Sequence, residues 1–141
     1  MVYPYLTYCN LVWGGASETN LRKILLLQKR CVRIITASHF LDPSAPLFSS
    51  TSILTIHNLY SYLCLLHAFK YKDSLTERDS RYNTRHGEAY SISFQRISVC
   101  QRSLKFIVPK LYNELPLRIK SIDTLGIFKK EIKNFVTSGQ I

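Results

Sequence analysis

Acidic side chains are scarce in this chain: nine Asp and Glu stand against nineteen Lys and Arg, a formal charge of +10 over 141 residues. So one-sided a surface wants anions, and phosphate backbones are their commonest source, because each neutralised phosphate releases a condensed counterion. The aspartates, Asp42, Asp73, Asp79 and Asp123, are far apart and no two are adjacent. Cys9, Cys31, Cys64 and Cys100 lie 22, 33 and 36 residues apart, which excludes a CxxC pair and a zinc knuckle. Cys64 and His67 share a helical spacing, but two ligands do not make a metal site, and a small buried thiol beside a core histidine accounts for them. Four scattered thiols suit a reducing compartment inside the cell, nucleus or cytoplasm. No long hydrophobic run exists: the stretch from 43 to 69 is uncharged but broken by Ser, Thr, Asn and His, so it is not a membrane span. A secretory leader is missing from the first residues as well. Gly14-Gly15 lacks the following Gly-Lys-Ser or Gly-Lys-Thr of a phosphate-cradling loop, and the pair is read as letting the chain turn. His39, His57, His67 and His86 are scattered, with no nucleophile elbow and no metal-binding pair.

What is present begins with an aromatic, uncharged block, Tyr3-Pro4-Tyr5-Leu6-Thr7-Tyr8-Cys9-Asn10-Leu11-Val12-Trp13-Gly14-Gly15. A block so apolar almost at residue 1 suggests that the chain continues from something larger. A helix over 18–37 is predicted next, with Ser17 as N-cap, Glu18 at the positive end of the dipole and neither Gly nor Pro until Pro43. At about 100° per residue, Arg22, Lys23, Lys29, Arg30 and Arg33 fall within an arc of roughly 120°. Leu21, Ile24, Leu25, Leu27, Cys31, Val32, Ile34 and Ile35 occupy the rest, and only Leu26 intrudes on the basic side. No acid follows Glu18 before Asp42, so these cations have no i,i+4 partners on their own helix. An ordinary solvated face is the alternative to an external anion. Membrane lipid fits less well than nucleic acid, since the apolar face carries Leu, Ile, Val and Cys in place of bulky aromatics.

Residues 38–52 read as a loop with one helical turn around 46–50, and a second helix is expected over 56–72, capped by Thr55 and apolar on most sides. The three segments are then 1–72, a polar and basic 73–107, and a helical 108–141. In the middle one, Arg78, Arg81, Arg85 and Arg96 interleave with Tyr82 and Tyr90, which could grip a single strand through phosphate contacts and stacking; a solvated loop is the equal alternative. Tyr90, Ile92 and Phe94 alternate with Ser91, Ser93 and Gln95 as in a short extended segment with one face covered. A helix entered through Pro109 and ended by Pro116 follows. The last helix, capped at Ser121, Asp123 or Thr124, packs through Leu125, Phe128, Ile132, Phe135 and Val136, shows Lys129, Lys130 and Lys133 outside, and stops at Gly139. The fold class is mainly α, a small helical domain with a few short extended segments in 88–107.

Several blocks recur together in one family. They are Tyr3 to Asn10, Val12-Trp13-Gly14, Leu27-Gln28-Lys29-Arg30-Cys31-Val32-Arg33-Ile34-Ile35, Pro46-Leu47-Phe48, Ile53-Leu54, Tyr82-Asn83-Thr84-Arg85, Pro109-Lys110-Leu111-Tyr112-Asn113-Glu114-Leu115-Pro116 and Phe128-Lys129-Lys130. In order and spacing the chain resembles the region after the polymerase core in reverse transcriptases of non-LTR (LINE-type) retrotransposons, of the jockey or chicken-repeat kind. Two departures stand out: Val108 where the family often has Gly, and Tyr112 where it often has Trp. The resemblance implies RNA or DNA as partner, together with an upstream polymerase core. Catalysis in such enzymes needs magnesium held by palm carboxylates. The family's aromatic-Ala-Asp-Asp strand has no counterpart here, so no catalytic residue and no cofactor is expected in this chain. The expected nucleic-acid contacts are Arg22, Lys23, Lys29, Arg30, Arg33, Arg81 and Arg85. Two other readings stay open, a stand-alone helical DNA- or RNA-binding module and a purely structural protein-interaction segment. A linker of nearly 20 residues between 37 and 56 weighs against the first, because a helix-turn-helix uses about three or four.

Overall fold

The computed structural model describes residues 3–72, 75 and 89–138. Among the described residues there are nine helices: α1 (Tyr3–Thr7), α2 (Asn10–Trp13), α3 (Glu18–Ile35), α4 (Ser44–Thr51), α5 (Ile56–Lys70), α6 (Ser98–Gln101), α7 (Leu104–Glu114), α8 (Leu117–Lys120) and α9 (Leu125–Thr137). No sheet forms among them, so the fold is mainly α. Two compact units divide the chain, Met1–Tyr60 and Ser61–Ile141, with the division inside α5. No described helix is long and apolar enough to cross a membrane.

In the first unit the aromatic block is two short helices broken at Tyr8 and Cys9, where Cys9 takes a left-handed φ of 47°. The Trp13 indole Nε1 donates to Tyr8 O at 2.7 Å and holds the break together. Gly14 is an ordinary right-handed residue with φ −66°, so conformational freedom is not what it supplies. Its use is steric. A Cβ there would collide with the Tyr60 ring and come within 2.6 Å of Asn10 O, a close approach that only glycine allows.

α3 forms because 18 residues carry one apolar seam with no breaker among them. Ser17 stands at the cap position with φ −62° and ψ 148°, but its side chain makes no capping bond; its carbonyl accepts from Asn20 N and Leu21 N at 2.9 and 3.1 Å. The helix stops at Ile35, two residues before the expected end. Ala37 N donates to Ile34 O and Ser38 N to Arg33 O, the paired bonds of a Schellman closure. Ala37 occupies its left-handed position with φ 50°. α4 ends the same way, with Ser52 at φ 53° and Ile53 N donating to Phe48 O. That eight-residue helix is longer than the single expected turn, because Pro46 sits in its first turn where the missing N–H has no intrahelical partner to lose. α4 packs against α3 and buries Phe48.

Gln28 lies in the middle of the α3 core seam and is buried. Its Nε2 donates to Leu54 O at 2.7 Å, and its Oε1 accepts from Ile56 N at 3.0 Å. One side chain thus satisfies a carbonyl and an amide at the entry to α5, where α5 begins with three free N–H groups. Thr55 caps that helix as expected, its Oγ1 accepting from Asn58 N at 3.3 Å.

In the second unit Cys64, Leu65 and Ala68 of α5, Val108, Leu111 and Tyr112 of α7, and Phe128, Ile132 and Val136 of α9 are buried. Phe69 stacks on Phe128 at 4.2 Å between ring centroids. The helix expected from Pro109 starts at Leu104 instead, and Pro109 is inside it and buried. The first-turn rule for proline misplaced the start: packing of a buried Pro109 offsets the one hydrogen bond its nitrogen cannot donate. Of the short extended segments expected in 88–107, the described residues show one bridge residue, Tyr90, and α6 begins at Ser98. The Asn113 Nδ2 donates to Tyr90 O and its Oδ1 accepts from Tyr90 N, both at 2.9 Å. Phe94, expected on a covered face, is 91% exposed. At α9, Thr124 takes the cap position, without a side-chain bond, and Ser138 follows the last turn; Gly139, the expected stop, lies outside the described residues.

Candidate nucleic-acid interface

Position around the helix divides the five cations of α3 into two edges. At about 100° per residue, Lys29, Arg22 and Arg33 fall within roughly 40° of one another, and Arg30 and Lys23 lie together on the far side of Leu26. Arg22, Lys23 and Arg30 are exposed, whereas Lys29 and Arg33 are half-buried. Arg22, Lys23, Lys29 and Arg30 pair with no carboxylate among the described residues, where the ion pairs are Glu18 with His57 and Glu131 with Arg118.

Arg33 has structural work. Its Nε and Nη2 donate to Asp42 O at 3.1 and 2.8 Å, and its guanidinium carbon lies 5.8 Å from the Phe40 ring centroid. It fastens the loop between α3 and α4, leaving three of its five N–H donors for an external anion. The carbonyl of Asp42 does this, not its carboxylate, which accepts from His39 N at 2.7 Å.

Arg81 and Arg85, with Arg78 and Tyr82, lie outside the described residues. Arg96 is exposed. The half-buried Tyr90 ring packs T-shaped against Tyr112 at 5.3 Å between centroids, and its backbone is held by Asn113. In α9, Lys129, Lys130 and Lys133 are exposed, with Lys130 opposite the buried Phe128 and Ile132 and Lys129 at the edge of that stripe.

The Tyr112 hydroxyl has its pKa raised above the ordinary 10.0 by burial and, secondarily, by the negative charge of Asp123. Beside it the Lys120 ammonium donates to Asn113 O at 3.0 Å and lies 5.8 Å from the Tyr112 ring centroid. These contacts order the turn after α7 and offer no reacting group. A cavity of about 430 Å³ in the second unit is lined by His67, Ser91, Ser93 and Lys105 together with apolar residues. His67 Nδ1 is buried without a hydrogen-bond partner among the described residues. No group of three His, Cys, Asp or Glu that could hold a metal occurs among the described residues.

Periodicity missed two features of α3. Gln28 falls inside the apolar arc, and a polar residue in a core seam is the signal that could have marked it. Leu27, Ile34 and Ile35 were assigned to the packed side, yet they are 58%, 79% and 65% exposed. The buried seam needs only Leu21, Gln28 and Val32, with Ile24, Leu25 and Cys31 half-covered. Comparison with protein-family models, with curated proteins and with solved structures finds no match to this chain.

Proposed function

We propose that this chain is the C-terminal portion of a non-LTR retrotransposon reverse transcriptase and that it contributes nucleic-acid contacts outside the catalytic palm. The edge of α3 formed by Arg22, Lys29 and the free donors of Arg33 takes consecutive phosphates of the RNA template, the DNA target or their hybrid. The observation that carries this reading is an 18-residue helix that holds Arg22 and Lys29, with no carboxylate partner among the described residues, along the edge beside its buried Leu21, Gln28 and Val32. Support for the family comes from the ordered sequence blocks, among them Gln28, Gly14 and Asn113, each of which has a specific structural task. Binding of this kind is sequence-tolerant and falls steeply with salt. Polymerisation belongs to the upstream core, where magnesium would be held, and intracellular residence, in nucleus or cytoplasm, keeps the four free thiols reduced.

The test is oligonucleotide affinity of the full chain measured across a salt series. The reading expects micromolar binding at low salt that weakens in the Arg22→Ala/Lys29→Ala variant. No binding at low salt would favour a purely structural role and overturn it. Arg33→Ala is measured separately with a melting curve, because it also releases the Asp42 loop.

A further inference from the structure

α3 carries two seams with the same repeat. Leu21, Leu25, Gln28 and Val32 follow i, i+4, i+7, i+11 and face the core of the first unit. Lys23, Leu27, Arg30 and Ile34 follow the same steps two residues later, which places them roughly 160° around the helix. All four are exposed. Leu26, 50% exposed, flanks this outer seam. Cations and aliphatic side chains therefore alternate along about three turns of helix surface, at the spacing by which helices interdigitate.

We infer that the outer seam of α3 docks an acidic amphipathic helix of a second protein, with carboxylates opposite Lys23 and Arg30 and aliphatic side chains against Leu27 and Ile34. Charge complementarity selects this occupant. Lys23 and Arg30 have no carboxylate partner among the described residues, so the partner must bring the negative charge. A nucleic-acid strand would satisfy the two cations but leave the aliphatic positions in water, because phosphates and sugars contact charged and polar groups and bury little aliphatic side chain. A second copy of this chain fails for the opposite reason, since self-pairing would bring four cations into one seam with no acid between them. None of the described helices offers an acid-and-aliphatic seam of the required kind: α9 has Glu131 alone, already held by Arg118 at 2.8 Å, and α7 ends in Glu114. The seam is distinct from the Arg22–Lys29 edge, so both ligands could be held by one helix, nucleic acid on one side and protein on the other.

The experiment uses the full chain and two synthetic, fluorescein-labelled amphipathic peptides of about 18 residues, read by anisotropy. One carries Glu and Leu alternately at i, i+4, i+7 and i+11; the other carries Lys in place of each Glu. The inference expects saturable binding of the Glu peptide and none of the Lys peptide. Lys23→Glu/Arg30→Glu should weaken the Glu peptide at least tenfold and create binding of the Lys peptide, a reversal that misfolding cannot produce. Leu27→Ser/Ile34→Ser should abolish both, with unchanged circular dichroism, and Arg22→Ala/Lys29→Ala should change peptide affinity less than twofold. Absence of Glu-peptide binding, indifference to the serine pair, or no gain of the Lys peptide after charge reversal would overturn the docking seam. So would a loss of oligonucleotide affinity in Leu27→Ser/Ile34→Ser, which would assign the seam to nucleic acid. Failure of oligonucleotide binding in the parent chain bears only on the reverse-transcriptase reading and leaves the peptide result standing.

Discussion

α3 and α9 are both basic amphipathic helices, one in each unit, yet they use their charges and their apolar residues differently. α9 buries Phe128, Ile132 and Val136 along one purely apolar stripe. Its lysines ring the exposed face, and its one acid, Glu131, is engaged by Arg118. α3 buries a glutamine in its core, holds one cation against a carbonyl, and shows more aliphatic surface than its core uses. The difference teaches that amphipathicity alone says little about function. α9 leaves two apolar residues outside its core, Leu125 and Ile127 at 44% and 54% exposure, while α3 keeps four, Leu26, Leu27, Ile34 and Ile35, on the outside beside cations that pair with no carboxylate among the described residues.

The largest expected effect tests α9 as the core helix. Phe128 is fully buried and stacked on Phe69. Truncation Phe128→Ala should cost about 3–5 kcal/mol of stability in urea unfolding, the range for a buried phenylalanine. A loss below about 1 kcal/mol would mean that α9 is not packed as described.

Next comes the polar clamp. In Gln28→Ala the Leu54 carbonyl and the Ile56 amide lose their partner in a buried place, at about 1–3 kcal/mol for each unsatisfied group. A destabilisation of about 2–6 kcal/mol is expected for the two groups, with Gln28→Leu no better, because leucine restores packing and neither bond. A neutral Gln28→Leu would reduce the contrast with α9 to hydrophobic volume.

How much of this could be read in the sequence follows from the range of the interactions. α3 and α9 were legible because a seam repeated over three or more turns is local information, and α5 because a long apolar run follows its Thr55 cap. The Gln28 clamp was not, since its partners lie 26 and 28 residues away along the chain. Nor was the start of α7, because the local rule for Pro109 competes with burial that only the folded unit reveals. The helix terminators were hidden by residue type: Ala37 and Ser52 do what glycine ordinarily does. At the site, the cationic arc was visible, but its division was not. Periodicity shows which residues share a face and does not show which face the core takes, so Leu27 and Ile34 passed as core and Arg33 as free.

A smaller effect follows from the α3 terminator. Ala37 holds a left-handed φ of 50°, costing roughly 1 kcal/mol relative to a residue without Cβ. Ala37→Gly should therefore raise stability by about 0.5–1 kcal/mol, less the extra freedom glycine has when unfolded. α9, closed at Ser138 with φ −70°, should gain nothing from Ser138→Gly.

At neutral pH the smallest effect is expected from Tyr112. Its pKa is raised by burial and by Asp123, so above the ordinary 10.0 the unfolded chain gives up this proton while the folded chain keeps it. Stability is then flat below that value and falls as pH rises through it. Tyr112→Phe should leave stability at pH 7 nearly unchanged and make the alkaline decline shallower. An identical decline in both proteins would assign it to other groups.

The most direct measurement sets the two helices against each other on nucleic acid: the slope of log affinity against log salt for the parent chain, for Arg22→Ala/Lys29→Ala, and for Lys129→Ala/Lys130→Ala/Lys133→Ala. Each lost phosphate contact should flatten the slope by about 0.9 on duplex DNA or about 0.7 on a single strand. The account predicts a flattening of about 1.4–1.8 for the two α3 substitutions and less than about 0.5 for the three in α9. Equal flattening per cation in the two helices, or a larger one in α9, would contradict it.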